Sequence, residues 1–359
     1  MFDQFHSKEL CENLIDQIRH TAHTPVRFME VCGGHTMAIR KFGIPSLLPE
    51  TISLLSGPGC PVCVTSTLYI DRAVFLSHQK DVIVCTFGDL LRVPGNYGSL
   101  EKAKTEGRNI RIVLSSTDAL ELARQNPQKK IVFLGIGFET TAPATAAAIL
   151  QAKQNKLKNF FVLSTHKLMP PAMEALIAEG VAINGYICPG HVTTITGTSM
   201  YKRIAEDLGI GCVVSGFEPL DLLFSILLLL KQHNSGRARI EIQYSRAVKP
   251  EGNKKAIALM EEVFEPVDDW WRGLGILTAS GLKPKSKYCR YDASANFDLP
   301  NYAEAESGAC ICGDILKGLK TPTDCKLFGK QCIPEKPAGA CMVSPEGSCQ
   351  TYYHYDKKI

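Results

Sequence analysis

Nowhere does this sequence hold the roughly 20 consecutive apolar residues that a membrane-spanning helix requires. Its most apolar segment, 222–230, runs for about nine residues and reads as a buried helix. The N-terminal MFDQFHSKELCENLIDQIRH is charged throughout and has neither the apolar core nor the small-residue cleavage site of a secretory leader, so export is not expected. A cytoplasmic location is expected, with no membrane partner. Neither sign of charge is in large excess. Forty Lys and Arg stand against 36 Asp and Glu, and no basic run stands out, which removes support for a nucleic-acid partner. The markers of several common enzyme classes are also absent. There is no G-x-x-x-x-G-K-[ST] loop, no H-E-x-x-H pair and no G-x-S-x-G elbow, and Gly135-Ile-Gly-Phe-Glu-Thr does not complete a dinucleotide-binding G-x-G-x-x-G.

What the sequence does have is sulfur, with 14 cysteines in 359 residues. With export not expected, that excess points to metal or thiol chemistry in a reducing compartment. The chain is 45% hydrophobic and 21% charged, the composition of a folded globular protein. Its length exceeds one ordinary core, so two or three domains are expected.

From about residue 24 to 245, short β-branched runs alternate with helical stretches, the grammar of an α/β fold. Strands are expected at 26–31, 52–56, 81–86, 110–115, 130–135, 160–164, 185–188 and 212–215. Most are continuous apolar runs, as in parallel strands buried on both faces. Helices are expected at 117–125, 142–153, 170–179, 220–231 and 253–264. The expected architecture is two parallel-sheet, Rossmann-like α/β domains, 22–130 and 131–245. A smaller C-terminal iron-sulfur domain, 246–359 together with 1–21, would complete it.

Ligands of open parallel sheets collect beyond the carboxyl ends of the strands. The chemically loaded loops fall at those places: Cys32-Gly-Gly-His35-Thr36, Gly57-Pro-Gly-Cys60-Pro-Val-Cys63, Gly137-Phe-Glu139-Thr-Thr141, Cys188-Pro-Gly-His191 and Ser215-Gly-Phe-Glu218. The C-x-x-C spacing of Cys60 and Cys63 lets two thiols close a short disulfide or share a soft metal, against the plainer reading of a structural pair. Cys32 ends the first strand, and Gly33 and Gly34 would clear an approach to its sulfur. His35 is placed to lower the thiol pKa or donate a proton. A buried strand-end cysteine and a helix-capping histidine are the alternatives, and a sheet edge shared with Cys60 and Cys63 favours function. Glu139 fits N-capping and proton transfer equally well. His191 and Glu218 carry the same ambiguity. Cys85, Cys188 and Cys212 read as core residues, while Cys11 and Cys289 lack a supporting motif.

Six cysteines lie between 310 and 349, the last four spaced Cys325-x6-Cys332-x8-Cys341-x7-Cys349. Glycines and prolines between them let the backbone wrap an inorganic centre in place of an apolar core. Four thiolates suit an iron-sulfur cluster or zinc, and the close C-x2-4-C knuckles of structural zinc are missing. A [4Fe-4S] cluster on Cys325, Cys332, Cys341 and Cys349 is therefore expected, with Cys310 and Cys312 as substitutes. Zinc, or buried or disulfide-bonded cysteines, are the alternatives.

Taken together, Glu30-Val-Cys32-Gly-Gly-His35-Thr-Met37-Ala-Ile-Arg40, Gly57-Pro-Gly-Cys60-Pro-Val-Cys63-Val, Gly137-Phe-Glu-Thr-Thr-Ala-Pro-Ala-Thr145, Cys188-Pro-Gly-His-Val192 and the four-cysteine tail resemble the HypD family of hydrogenase maturation factors, nearly end to end. Met37 stands where some members carry a second histidine. The resemblance implies a cytoplasmic scaffold that assembles the Fe(CN)2CO unit of [NiFe]-hydrogenase with a HypC-type chaperone. Cyanide would come from a HypE-type donor supplied by HypF. By the same resemblance, Cys32 would bind the transient Fe(CN)2CO iron together with a HypC cysteine. Cys60 and Cys63 would form a redox-active dithiol that exchanges electrons with a [4Fe-4S] cluster on Cys325, Cys332, Cys341 and Cys349. The alternative is a stand-alone iron-sulfur-linked protein disulfide reductase, for which a third thiol such as Cys32 is optional. A colourless zinc-stapled binding protein is a third class.

Overall fold

A computed structural model describes residues 7–302, 304 and 309–356. In chain order its strands are β1 Val26–Glu30, β2 Ile52–Ser56, β3 Val82–Thr86, β4 Ile110–Ile112, β5 Lys130–Gly137, β6 Phe160–Lys167, β7 Gly185–Pro189, β8 Gly211–Ser215, β9 Ile240–Ile242, β10 Phe264–Trp271 and β11 Gly275–Pro284. They form two α/β sheets of order β2-β1-β7-β8-β9 and β10-β11-β6-β5-β3-β4. The first is parallel throughout; the second is parallel from β6 to β4 and ends in the antiparallel hairpin β10–β11.

All eight expected strands form, the central ones covered on both faces, whereas β4 at the edge of its sheet is exposed at Arg111 and Ile112. β3, β7 and β8 are buried at every position. Over the first sheet, Ile15 and Ile18 of the helix Lys8–Thr21 and Leu222 and Ile226 of the helix Pro219–Ser235 pack with Phe28, Ile187 and Val213. Each such side chain contributes about 1.5–3 kcal/mol on burial. The helix Pro219–Ser235 starts where Glu218 and Asp221 close a capping box around Pro219, and stops at Gly236, whose φ of 63° suits a glycine C-cap. Over the second sheet, Ala146 and Ile149 of the helix Ala142–Gln154 meet Ile131 and Phe133.

The grouping of strands differs from the expected division near residue 130. β1 and β2 pair with β7, β8 and β9, so the chain leaves the first sheet after β2, builds β3 to β6, and returns at β7. A strand buried on both faces is apolar on both, so its sequence carries little mark of which neighbour it will take. The segment after 246 is not a separate unit from its start. The hairpin joins the second sheet through Gly281 beside Lys167 and Leu282 beside His166. It escapes a sequence reading because Pro266 and Gly281 interrupt it. The helix Lys8–Thr21 likewise belongs with the first sheet, not with the cysteine-rich tail. That tail, 309–356, is built of short helices and turns.

Candidate functional site

Strand order in the first sheet reverses between β1 and β7, and the crevice outside such a switch point is where open α/β sheets take ligands. Cys32 follows β1 and His191 follows β7, with Cys32 Sγ 3.8 Å from His191 Nδ1. The loop after β2 lies directly on the Cys32 backbone: the Gly33 N–H donates to Gly59 O at 3.0 Å. A Cβ on residue 59 would fall on the backbone of Val31 and Cys32, so only glycine permits this approach. One residue on, Cys60 and Cys63 are joined as a disulfide with Cα atoms 5.2 Å apart. Pro61 opens the short helix Pro61–Val64 between them, and the Cys63 N–H donates to Cys60 Sγ at 3.2 Å.

The glycines after Cys32 serve another purpose than an open approach to sulfur. Gly33 faces Glu346 from the tail, Gly34 faces the Phe217 ring, and Cys32 is 2% exposed. Burial pushes the Cys32 thiol well up, Glu346 and Glu30 push it further, and backbone N–H groups of His35 and Gly34 oppose them. The His35 ring is not the one at the sulfur. Its Nε2 donates to Gly216 O at 3.0 Å and its face lies 4.7 Å from Phe217, while burial and then His191 lower its pKa to about 3. His191, which sequence reasoning left undecided, is the imidazole beside Cys32. It packs on Phe217 at 5.4 Å, and burial lowers its pKa as well.

Between the switch points of the two sheets lies a cleft of about 370 Å³. Pro61 of the dithiol turn, Asp89 after β3, Thr140 and Thr141 after β5, His191 and Glu346 line it. Glu346 carries no sequence signal beyond its place between two tail cysteines. Glu139 turns away from this cleft. Its Oε1 accepts the Met169 N–H at 2.9 Å, whereas Thr141 holds the N-cap of the helix Ala142–Gln154. Its Oε2 is buried without a partner among the described residues, and burial lifts the carboxyl to about 7. Glu139 lines a separate apolar cavity of about 470 Å³ with Met200, Met260 and Phe264. Glu218 serves as the N-cap already described.

The tail gathers all six of its cysteines, not four. Cys310 and Cys312 sulfurs are 2.9 Å apart, and both crowd Gly339, where a Cβ would sit 2.8 Å from each. The thiols of Cys312 and Cys349 reach Cys341 and lower its pKa. Cys310, Cys312, Cys325, Cys332 and Cys349 line one small cavity walled by Leu327 and Phe328. Among the described residues no three His, Cys, Asp or Glu side chains are set as a metal-ion cage. The donor set, all thiol with apolar walls, has the chemistry that an iron-sulfur cluster takes. Cys85, Cys188 and Cys212 are wholly buried core residues, and Cys289 is exposed. No helix among the described residues is long and apolar enough to cross a membrane.

Comparison with known proteins agrees with these motifs over the whole length. The family model HypD, described as the hydrogenase formation hypA family, matches residues 9–356. The hydrogenase maturation factor HypD2 of Bradyrhizobium diazoefficiens is 46% identical, covering 99% of this chain and 96% of its own. HypD of Cupriavidus necator is 44% identical with 99% and 97% covered, and HypD of Rhodobacter capsulatus is 45% identical with 95% and 92% covered. With its cysteine loops at the switch point and a match from the first described helix to the last, this chain belongs to the HypD family of hydrogenase maturation factors.

Proposed function

We propose that this chain is the scaffold and redox protein on which the Fe(CN)2CO centre of [NiFe]-hydrogenase is assembled, working with a HypC-type chaperone and a HypE-type cyanide donor. The observation that carries the reading is the placing of three sulfurs at one switch point: Cys32 beside His191, and the Cys60–Cys63 disulfide on the adjoining loop. Iron is the cargo here, and Cys32 is its ligand from this chain. A buried thiol is neutral at pH 7, so binding iron requires loss of the Cys32 proton. His191 Nδ1, neutral and 3.8 Å away, is the base within reach. Its place at the cleft lets the proton leave to solvent.

The dithiol stores two electrons: reducing the Cys60–Cys63 bond consumes two electrons and two protons and yields two thiols. A [4Fe-4S] cluster held by Cys325, Cys332, Cys341 and Cys349 would supply one-electron transfer when bound. Cys310 and Cys312 are then two thiols beyond the four ligands.

Anaerobic co-purification with the chaperone, followed by infrared spectroscopy, tests the reading. Iron-bound cyanide and carbonyl stretches are expected in the metallated complex. A fully metallated complex without them would shift the assignment to the disulfide reductase.

A further inference from the structure

We propose that Arg272 is a positioning residue that sets the redox poise of the Cys60–Cys63 couple by fixing its turn against the C-terminal cysteines. The inference rests on the dithiol reading above and adds a residue that no cysteine motif marks.

Arg272 sits at the tip of the β10–β11 hairpin. The tip is held firmly from behind: Trp271 is fully buried, stacks on Phe138 with centroids 6.1 Å apart, and donates from Nε1 to Ser280 Oγ at 2.9 Å. From there Arg272 makes three hydrogen bonds to consecutive carbonyls of the dithiol turn. Its Nε donates to Cys63 O at 3.0 Å, its Nη2 to Thr65 O at 2.9 Å, and its backbone N–H to Val64 O at 3.0 Å. These carbonyls lie at and just past the C-terminal end of the helix Pro61–Val64, where backbone oxygens lack helical donors and a cation is favoured. A guanidinium suits the task because its planar fork reaches several acceptors at once and stays charged at every working pH.

The same tip touches the tail. Gly273 lies on the backbone of Gly313, the neighbour of Cys312, so closely that an added Cβ would come within 2.7 Å of Gly313 Cα. One permanent cation is therefore bonded to the backbone of the dithiol turn, at the carbonyl of Cys63 itself, on a hairpin tip that also touches the tail. Reduction of the disulfide produces thiols whose ionised fraction a nearby cation stabilises, so Arg272 favours the reduced pair.

The test is an anaerobic redox titration of full-length wild type, R272Q and R272K in dithiothreitol buffers. The Cys60 and Cys63 thiols are counted by differential alkylation and mass spectrometry, with melting temperatures measured alongside. R272Q is expected to shift the equilibrium about tenfold toward the disulfide, a potential about 30 mV lower. R272K keeps the charge but not the three-way grip, and is expected to shift it about threefold. Should R272Q not fold, R272K alone decides. Folded variants that titrate with wild type overturn the proposal. So does a lowered melting temperature with no shift, the mark of a merely structural clamp. A wild-type pair that does not cycle defeats the dithiol reading itself, whereas wild-type cycling with unshifted variants defeats only the role of Arg272.

Discussion

Glu139 shows what burial does to a single group. Its carboxyl titrates near 7 instead of 4.5 because it is shut from water with one oxygen unpaired. Between those values the folded chain holds a proton that the unfolded chain has released, so stability falls as pH rises from about 4.5 to 7 and levels off above. Buried His35 and His166, lowered to about 3, work in the opposite sense between 3 and 6.5. The difference between wild type and Glu139→Gln isolates the carboxylate. Urea midpoints taken from pH 5 to 8 should show the variant gaining on wild type by on the order of 2–3 kcal/mol; parallel profiles would contradict the assignment. Cys32, Cys60 and Cys63 were legible at this scale, since glycine and proline frame them. The positions of His191 and Glu139 were not. Sequence proximity suggests His35 for Cys32, yet the fold turns that ring to Gly216 and brings in a residue 159 positions away. Glu139 caps a helix that begins 30 residues later.

Elements were legible where one apolar run sufficed to define them, as for the eight strands and for the helix Pro219–Ser235. Loops whose meaning depends on contact were legible only as motifs. Gly59 reads as a turn residue in Gly57-Pro-Gly-Cys60, but its work is to let the second loop lie against the first. β1 is paired on both sides, by β2 and β7, so the Val31 and Cys32 backbone has little room to retreat from an added methyl group. Gly59→Ala is therefore expected to destabilise by about 1–3 kcal/mol or more and to part Cys32 from the dithiol turn. Gly88→Ala, also lining the cleft but with its nearest neighbour 4.0 Å away, should stay within about 0.5 kcal/mol of wild type. Chemical denaturation of both variants decides the matter, and equal behaviour would refute the close approach. The hairpin β10–β11 had no comparable signal, although its tip makes the contacts of Arg272.

Across the whole molecule, two interleaved sheets put their switch points face to face, and the cysteine-rich tail reaches the cleft through Glu346. The gathering of the tail cysteines was anticipated from spacing alone, but spacing named four sulfurs where the structure brings six together. With the proposed cluster in the tail, replacing Cys325, Cys332, Cys341 or Cys349 by alanine is expected to lower bound iron and acid-labile sulfide and to loosen the tail, because metal-ligand free energy would act there as folding free energy. Iron analysis across all six single variants checks this, and loss at Cys310 or Cys312 instead would reassign the ligands. The central claim concerns Cys32, whose single buried sulfur just past a strand end would be the iron ligand of this chain. The most direct test is the infrared spectrum and total iron of the Cys32→Ala protein purified anaerobically with the proposed HypC-type chaperone. The account predicts that the cyanide and carbonyl bands vanish while the iron of the tail remains, and bands persisting at normal intensity would contradict it.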